Sequence, residues 1–368
     1  MKPLDRNISR RDFLKSVGLI SAGVLLPPNK RQILQRSIRS FSDFPVDKKL
    51  GRICVAEVSI RSEPSANAPA IGTLYEDDVV EWIQEVVGEV PDYRLSRHWV
   101  KIPEGYVYAP SVQPVKNIPN VPVSEIPYQA TTKGMWAEVT QPYVDVKVTK
   151  YPPEGFWLKE NYNPRLYYSQ VMWIDDMRTE DGVVEYLISD RYGSRGDKLW
   201  GPAEAFRPLT EEEISPIHPD VGDKKVRINL NQETLSCYEG KNEVYFCQIS
   251  AGTNFDDEGN PAEESKTPVG TRPIWRKLIS IHMEGGTAGG GYDLPGVPWT
   301  CLFVGEGVAI HSTFWHNDYG AKRSHGCINA SPEDAKWIFR WTDPQVPYDP
   351  GDVTVSMPGG TTIEVVEN

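Results

Sequence analysis

The chain has 368 residues, two to three times a usual domain length, which predicts at least two domains. Hydrophobic residues make up 39% and charged residues 24%, and this balance excludes a wholly disordered chain and a polytopic membrane protein. The formal net charge of −12 argues against nucleic acid as the main partner. Residues 1–40 carry nine basic and two acidic side chains, a net charge of +7, which leaves −19 on the rest of the chain.

The basic N-terminal segment has the layout of an export signal. It reads SRRDFLK over residues 9–15, and a short apolar run follows over residues 17–26. This run is far shorter than the roughly 20 residues that span a bilayer. The paired arginines resemble a twin-arginine signal, which implies export to the cell envelope, either the periplasm or the cell wall. The alternative is a short amphipathic helix. No clear Ala-x-Ala site follows, so cleavage of the signal and its retention as a membrane anchor both stay open.

The chain has an odd number of cysteines: Cys54, Cys237, Cys247, Cys301 and Cys327. Outside the cytoplasm, an odd number leaves at least one free thiol. Cys237 and Cys247 flank a predicted turn at residues 239–242. A disulfide between them requires a close Cα approach. The favoured interpretation is two small buried hydrophobic residues.

Short alternating runs separated by Gly, Pro and Asn begin at residue 51. Short strands with turn signals predict a small barrel or sandwich. The runs that carry the next comparison are SIRSEPS at 59–65, IGTL at 71–74, WVKI at 99–102 and GYVY at 105–108. Together they resemble a bacterial SH3-like domain over residues 51–116. The resemblance implies that this region accompanies a cell-wall enzyme, and it could bind wall peptide.

Residues 129–215 are again rich in short aromatic and β-branched runs. Their ending, LWGPAEAFRP at 199–208, parallels YVYAPSVQP at 106–114. This likeness predicts a second, more irregular SH3-like unit, and a strand-rich spacer without repeat ancestry is the alternative. In the first unit, large aromatic side chains are expected mainly in the core, because small barrels need them there. They are Trp82, Trp99, Tyr106 and Tyr108.

A third block runs over residues 224–357. It opens with strands predicted at 226–230, 234–238 and 244–250. The persuasive helix in this block is predicted at 332–341, where Ser331 suits the N-cap and Pro332 the first turn. Its apolar stripe consists of Ala335, Ile338 and Phe339.

The residues that carry chemistry concentrate in two short segments, HSTFWH at 311–316 and SHGCIN at 324–329. A thiol becomes a useful nucleophile beside an imidazole or a helix start. Gly326 allows a tight turn and a close approach of substrate. Backbone N–H groups around such a turn are suitable donors to an oxyanion.

These segments resemble the catalytic domain of the L,D-transpeptidases, whose pattern is a histidine, a spacer and [S/T]-H-G-C-x-N. The likeness extends over residues 224–357 and includes SAG at 250–252, KTPVG at 266–270, and GVPW at 296–299 before VAIH at 308–311. It implies a mainly β protein. The catalytic domain would be β-sandwich-like with one short helix after the catalytic loop, preceded by one or two small SH3-like barrels.

The resemblance also implies catalytic roles. It assigns Cys327 as the nucleophile, His311 as its base, and the Ser312 carbonyl as the group that orients the His311 ring. His325, Gly326 and Cys327 would line the oxyanion hole, the last two through backbone N–H groups. The spacer between His311 and the second segment is shorter than in the commoner members of the family.

Four further residues are expected on the substrate side of the site: Ser324, Asn329, Tyr292 and Trp299. Within this set, Asn329 would brace the loop. His316 is expected to shape the rim of the cleft. The remaining histidines receive no role; they are His98, His218 and His282.

A zinc site is the rival interpretation of the same segments. Its plausible ligands are His311, His316, His325 and Cys327. No H-E-x-x-H or paired C-x-x-C motif accompanies them, and no carboxylate base sits nearby, so the sequence favours a site without metal.

The resemblance implies acyl transfer through a thioester on peptidoglycan stem peptides, which serve as donor and acceptor, without a metal or organic cofactor. The expected product is a 3→3 cross-link. An L,D-carboxypeptidase or a protein-attaching enzyme with the same thioester is the main alternative. A wall-binding protein with an inactive catalytic block is the third, and the intact pair of His311 and Cys327 counts against it.

Overall fold

The computed structural model describes residues 44–90, 95–155, 158–159, 164–192, 196–253, 265–285, 292–305 and 307–367. The basic segment 1–40, with its expected twin-arginine signal, lies outside these residues. Over the described ranges, helices of membrane-spanning length and hydropathy are absent. The same ranges are mainly β, as the sequence predicts.

The N-terminal unit consists of eight strands in two sheets, with orders β4-β1-β8 and β3-β2-β7-β6-β5. The strands are β1 (Leu50–Ile53), β2 (Glu57–Arg61), β3 (Ala70–Tyr75), β4 (Val79–Glu81), β5 (Gln84–Val87), β6 (His98–Ile102), β7 (Gly105–Tyr108) and β8 (Val112–Val115). Trp82, Trp99 and Tyr108 are buried, and Tyr106 is partly buried. The expectation that these aromatic side chains form the core is confirmed for the first three.

The middle unit also contains eight strands. They are β9 (Met135–Val139), β10 (Tyr143–Asp145), β11 (Lys147–Val148), β12 (Arg165–Tyr167), β13 (Val171–Glu180), β14 (Val183–Ser189), β15 (Lys198–Pro202) and β16 (Phe206–Pro208). Six form a sheet in the order β11-β15-β14-β13-β9-β16, and β10 pairs with β12.

The first two units end in the same way. A 3-10 turn, Ala109–Ser111 or Ala203–Ala205, leads into a last strand. That strand pairs antiparallel with the first strand of its own unit, β8 with β1 and β16 with β9. This shared ending agrees with the likeness between the two sequences, and a second SH3-like unit at 129–215 stays a prediction.

The C-terminal unit has two five-stranded sheets, with orders β19-β18-β17-β26-β20 and β24-β23-β22-β21-β25. In chain order its elements are α1 (Glu211–Ile214), β17 (Lys224–Asn229), β18 (Thr234–Glu239), β19 (Asn242–Gln248), β20 (Gly270–Pro273), β21 (Arg276–Gly285), β22 (Tyr292–Val304), β23 (Val308–Ser312), β24 (Ile328–Ala330), α2 (Pro332–Trp341), β25 (Asp352–Thr354) and β26 (Thr362–Val366). Helix α2 has the predicted bounds, and the Ser331 hydroxyl caps it by accepting the Asp334 N–H.

Two features of this unit differ from prediction. The short helix α1 was not expected; a reciprocal capping box between Thr210 and Glu213 stabilises its single turn. The predicted end at residue 357 is too early, because β26 lies beyond it and pairs in parallel with β17 in the interior of the first sheet. A pairing between strands so far apart in the chain leaves no local sequence signal.

The middle and C-terminal units share one hydrophobic core. Trp136 and Trp173, from β9 and β13, pack in the same cluster of buried residues as the C-terminal strands. The Trp136 backbone N–H donates to the Tyr348 hydroxyl at 2.9 Å, and its indole N–H donates to the Tyr348 carbonyl at 2.8 Å. Gly351 has φ +79°, and a Cβ there would lie 2.7 Å from the Trp136 ring. The middle unit is therefore structural support for the C-terminal one.

All five cysteines are free thiols. Cys237 lies opposite Tyr245 in the pairing of β18 with β19, whereas Cys247 lies opposite Leu235. The two thiols are thus offset along the hairpin, and both are buried. Their interpretation as small buried hydrophobic residues is confirmed.

Candidate active site

The histidine of the motif lies on β23, and the cysteine directly precedes the neighbouring parallel strand β24. In the pairing of β23 with β24, His311 lies opposite Asn329. Cys327 packs against a hydrophobic cluster that contains Ala309. Ala309 and His311 are two residues apart on β23, so their side chains lie on the same face of the sheet. The Cys327 side chain therefore lies on the face of β23 that carries His311.

His311 is held as a neutral imidazole with one nitrogen engaged. The ring is buried, with 2% of its surface exposed, and Nδ1–H donates to the Ser312 carbonyl at 2.9 Å. This contact places the proton on Nδ1 and leaves Nε2 as the basic nitrogen. Burial lowers the pKa of His311 to about 4. The expected orienting contact from Ser312 is present.

The Cys327 thiol also rests in its neutral form. Its Sγ donates to the Gly307 carbonyl at 3.2 Å. Burial raises the pKa of Cys327 to about 11. With the thiol pKa above that of the imidazole, a thiolate–imidazolium pair is not the resting state. The arrangement suits general-base catalysis, in which the proton leaves sulfur as the new bond forms.

Ser324 closes the cysteine loop, which comprises residues 323–329. Its hydroxyl donates to the Cys327 carbonyl at 2.5 Å and accepts the Gly326 N–H at 3.1 Å. Gly326 has φ +125°, a conformation that L side chains rarely adopt. Ser324 is 7% exposed and its hydroxyl holds the turn, and its expected contact with substrate stays a prediction.

The oxyanion hole needs a matching correction. The Gly326 N–H was expected to point at an oxyanion, but it is committed to the Ser324 hydroxyl within the loop. The Cys327 N–H is the amide that we expect to stabilise the oxyanion. His325, on the same turn, is exposed and lies at the surface of the site.

A strand segment supports the loop from behind. The Ala251 carbonyl accepts the N–H groups of Arg323 and Ser324 at 3.0 and 3.1 Å. The Thr253 N–H donates to the Ser324 carbonyl at 2.8 Å. The backbone groups of Ser250 and Asn329 exchange two hydrogen bonds, each 2.9 Å long. Residues 249–253, which we call the support segment, therefore run along the whole loop.

Thr267 joins the support segment to the glycine of the loop. Its hydroxyl accepts the Gly252 N–H at 2.9 Å and donates to the Gly326 carbonyl at 2.8 Å. A Cβ on Gly252 would lie 2.9 Å from the Gly326 Cα and 2.3 Å from the Ser265 carbonyl oxygen. A side chain at position 252 is therefore excluded by this close approach.

Buried Asn329 and half-buried His316 form a hydrogen-bonded pair beside the cysteine loop. The His316 Nδ1 accepts the Asp318 N–H at 3.2 Å, so the neutral ring carries its proton on Nε2. The side-chain amide of Asn329 lies 2.9 Å from His316 Nε2. With the amide oxygen turned toward the ring, Nε2–H donates to that oxygen. Burial and the Arg323 charge lower the pKa of His316 to about 3.

These contacts decide between the interpretations of the two residues. Asn329 is 1% exposed and its backbone bonds Ser250, which fits the bracing role, and its expected contact with substrate stays a prediction. Both ring nitrogens of His316 are engaged, which leaves no lone pair for zinc. His316 is half-buried, and its expected place at the rim of the cleft stays a prediction.

Of the two expected aromatic residues, one lies at the site and the other does not. Tyr292 is 36% exposed, and its ring centroid is 5.6 Å from that of His325. Trp299 is 1% exposed, has φ +59° and packs on Phe339 at 5.4 Å in the core. The expected position of Trp299 on the substrate path is wrong.

His282, which received no role from the sequence, sits between two carboxylates. Its Nδ1 contacts Asp190 from the middle unit, and its Nε2 contacts Asp293 on β22. These contacts outweigh burial and raise the pKa of His282 to about 9. As an imidazolium it ties the hairpin of β21 and β22 to the middle unit. Asp190 is 92 residues away along the chain, so no local pattern signals the contact.

The same histidine belongs to the group of described side chains that could hold a metal ion. The ligand atoms of His282, Glu284 and Asp293 lie within 4.8 Å of one another. The imidazolium already neutralises part of the carboxylate charge there, and the group is separate from the cysteine loop.

Two regions of the chain match known families. Residues 223–365 match the L,D-transpeptidase catalytic domain, and residues 56–113 match the bacterial SH3 domain. The expected fold class is confirmed: the chain is mainly β, with an L,D-transpeptidase fold and an SH3-like N-terminal region.

Individual relatives are distant. L,D-transpeptidase 2 of Mycobacterium tuberculosis is 24% identical over 207 residues, which cover 53% of this chain and 44% of that protein. YciB of Bacillus subtilis is 28% identical over 140 residues, 33% of this chain and 63% of that protein. The chain thus spans less than two thirds of either relative. The solved L,D-transpeptidase from Mycobacterium smegmatis superimposes with a TM-score of 0.30 at 20% identity, covering 61% of this chain and 99% of that one.

Proposed function

We propose that this chain is an exported peptidoglycan L,D-transpeptidase that forms 3→3 cross-links through a thioester on Cys327. One observation carries the proposal: Cys327 packs on the face of β23 that carries His311, and the Ser312 carbonyl holds the imidazole proton on Nδ1. The matching catalytic domain supports the reaction class, a transpeptidase or acyltransferase.

The first half-reaction forms the thioester. Cys327 Sγ attacks the carbonyl carbon between residues three and four of a donor stem peptide, and His311 Nε2 takes the thiol proton. The Cys327 N–H donates to the oxyanion of the tetrahedral intermediate. The C–N bond then breaks, and His311 returns the proton to the amine of the leaving D-alanine. Sulfur remains bonded to the acyl carbon.

The second half-reaction transfers the acyl group to an acceptor. The side-chain amine of a diamino acid on a second stem attacks the thioester carbonyl, and His311 accepts the amine proton. The C–S bond breaks, and the proton passes to sulfur, which regenerates the thiol. The atoms balance without a metal or an organic cofactor. Tyr292 and His325, at the open side of the site, are the residues that we expect to contact the entering peptides.

Product analysis tests the proposal. The full chain is incubated with a disaccharide tetrapeptide, and the products are resolved by mass. A dimer that has lost one D-alanine supports the transpeptidase, a tripeptide monomer indicates a carboxypeptidase, and unchanged substrate contradicts both. Cys327→Ala is expected to abolish the reaction, whereas Cys54→Ala, a matched thiol deletion in the N-terminal unit, is expected to retain it.

The SH3-like unit and the N-terminal signal extend the proposal to location. We propose that the signal exports the chain to the cell envelope and that the SH3-like unit contributes to wall binding. Sedimentation of the full Cys327→Ala chain with purified wall tests the second statement without turnover of the wall. Protein that stays in the supernatant would contradict it.

A further inference from the structure

A buried carboxyl group lies behind the cysteine loop, and the proposed chemistry does not use it. Glu233, in the turn between β17 and β18, is only 4% exposed. Its Oε2 accepts the Ala251 N–H at 2.6 Å. Its Oε1 is buried, and the described residues supply no hydrogen-bond partner for it. A half-satisfied buried carboxyl is costly, so its presence needs an explanation.

Glu233 holds the support segment at two points. Its backbone carbonyl accepts the Ile249 N–H at 2.9 Å, and its carboxyl accepts the N–H two residues later, on Ala251. Glu233 itself has φ +51°, a left-handed conformation that is uncommon outside glycine. The turn is therefore shaped so that main chain and side chain bind the same face of the segment.

Ala251 passes this contact on to the loop. Its N–H is bound by Glu233, and its carbonyl accepts the Arg323 and Ser324 N–H groups on the other side. Hydrogen bonds in such a chain polarise one another. Ser324 in turn closes the turn that presents Cys327. Two residues, Ala251 and Ser324, thus connect the Glu233 carboxyl to Cys327 through hydrogen bonds.

We infer that Glu233 is a positioning residue for the cysteine loop: its carboxyl fixes the support segment, and the segment fixes the turn that presents Cys327. The inference rests on the proposed function, because it gives the loop its purpose. Glu233 acts through Ala251 and Ser324 and does not touch the reacting atoms.

The charge state of Glu233 offers a readout. Burial raises the pKa of Glu233 to about 7, and the Lys322 charge opposes part of this shift. Among the described residues, Lys322, beside the loop, is the charged group that acts on the Glu233 carboxyl. The support segment faces this carboxyl with backbone amides. A carboxylate accepts a hydrogen bond about twice as strongly as a neutral group. The grip on Ala251 therefore tightens as the pH rises through 7.

Three variants test the inference. Glu233→Gln keeps an oxygen acceptor and removes the titration, Glu233→Ala removes both, and Glu243→Gln removes an exposed carboxylate from β19 as the matched control. The rate of Cys327 acylation by a carbapenem is followed by intact mass between pH 5 and 9. Alkylation of Cys327 by iodoacetamide is measured in parallel, because it needs no transpeptidase activity.

As the pH rises through 7, the rates of Cys327 acylation and alkylation in the wild type are expected to increase about threefold relative to those in Glu233→Gln. Glu233→Ala is expected to lose roughly tenfold in maximal acylation rate at every pH, with the half-saturating carbapenem concentration unchanged. Glu243→Gln should follow the wild type. Superimposable pH profiles for the wild type and Glu233→Gln overturn the inference, even if Glu233→Ala does not fold.

The two readouts separate this inference from the proposed function. If the wild type is acylated and Glu233→Gln matches it at every pH, the positioning role is wrong and the function stands. In a second outcome, neither the carbapenem nor the stem peptide acylates Cys327, but the rate of Cys327 alkylation still rises near pH 7. If Glu233→Gln abolishes that rise, the proposed function is wrong and the positioning role stands.

Discussion

Thr267 offers the most direct test of how the loop is built. Thr267 is 4% exposed. Its hydroxyl accepts the Gly252 N–H at 2.9 Å and donates to the Gly326 carbonyl at 2.8 Å. Thr267→Val keeps the shape of the side chain but removes the hydroxyl. It leaves a buried donor and a buried acceptor without partners. Each such group costs about 1–3 kcal/mol, so the loss in free energy of unfolding should be about 2–6 kcal/mol.

Thr267→Ser is the matched control, because it keeps both hydrogen bonds and loses one methyl group, worth about 0.8 kcal/mol. Urea unfolding followed by tryptophan fluorescence measures the stability of both variants. The rate of Cys327 acylation by a carbapenem reports whether the cysteine loop still positions the nucleophile. Thr267→Val should also slow acylation about tenfold or more, since small displacements of a nucleophile are costly. Equal stability and equal acylation of the two variants would refute the reasoning.

Three further outcomes follow from the structure. Because the pKa of His311 is lowered to about 4, this base stays neutral at higher pH. Protonation of His311 should therefore reduce the rate of Cys327 acylation only near pH 4. A fall in the acylation rate of Glu233→Gln near pH 6.5 would contradict this. The raised pKa of His282, about 9, contributes stability that is fully present below the unfolded pKa near 6.5 and is lost as the pH rises through 9. The melting temperature should therefore fall between these pH values by the equivalent of roughly 2–3 kcal/mol. His282→Gln should lack this fall. Trp299→Ala should cost about 3–5 kcal/mol in unfolding free energy, as expected of a core residue, whereas near-native stability with a raised KM would place Trp299 on the substrate path after all.

Local patterns were sufficient for the elements that local chemistry determines. The helix over Pro332–Trp341 has its N-cap, its first-turn proline and its apolar stripe within one short stretch, and its bounds were predicted correctly. The cysteine and histidine segments were equally local. The parallel pairing of β23 with β24, which brings the two segments together, was not predicted, because a pairing between separate strands leaves no local signal.

Errors arose where tertiary contacts decide. Residues 295–303 of β22 are buried on both faces, so alternation could not show which face Trp299 would take, and its positive φ breaks the alternation further. The Gly326 N–H was assigned to an oxyanion because the motif does not reveal that Ser324 folds back to accept it. His282 gains its role from Asp190, a residue of another unit.

Burial of polar groups is also invisible to a sequence pattern. Glu233 lies in a turn, where an exposed side chain is the usual expectation. Its burial depends on the support segment crossing over that turn, and on the left-handed conformation of Glu233 itself. Such a residue is found only when the hydrogen bonds of each buried group are traced in three dimensions.

Trapping the acyl-enzyme tests the central claim most directly. The full chain is mixed with a disaccharide tetrapeptide, quenched in acid during turnover and analysed by intact and peptide mass. We predict a thioester on the peptide that contains Cys327, with the mass of the donor less one D-alanine. The adduct should be absent in Cys327→Ala and strongly reduced in His311→Gln. Turnover by Cys327→Ala, or an adduct on a different residue, would contradict the account.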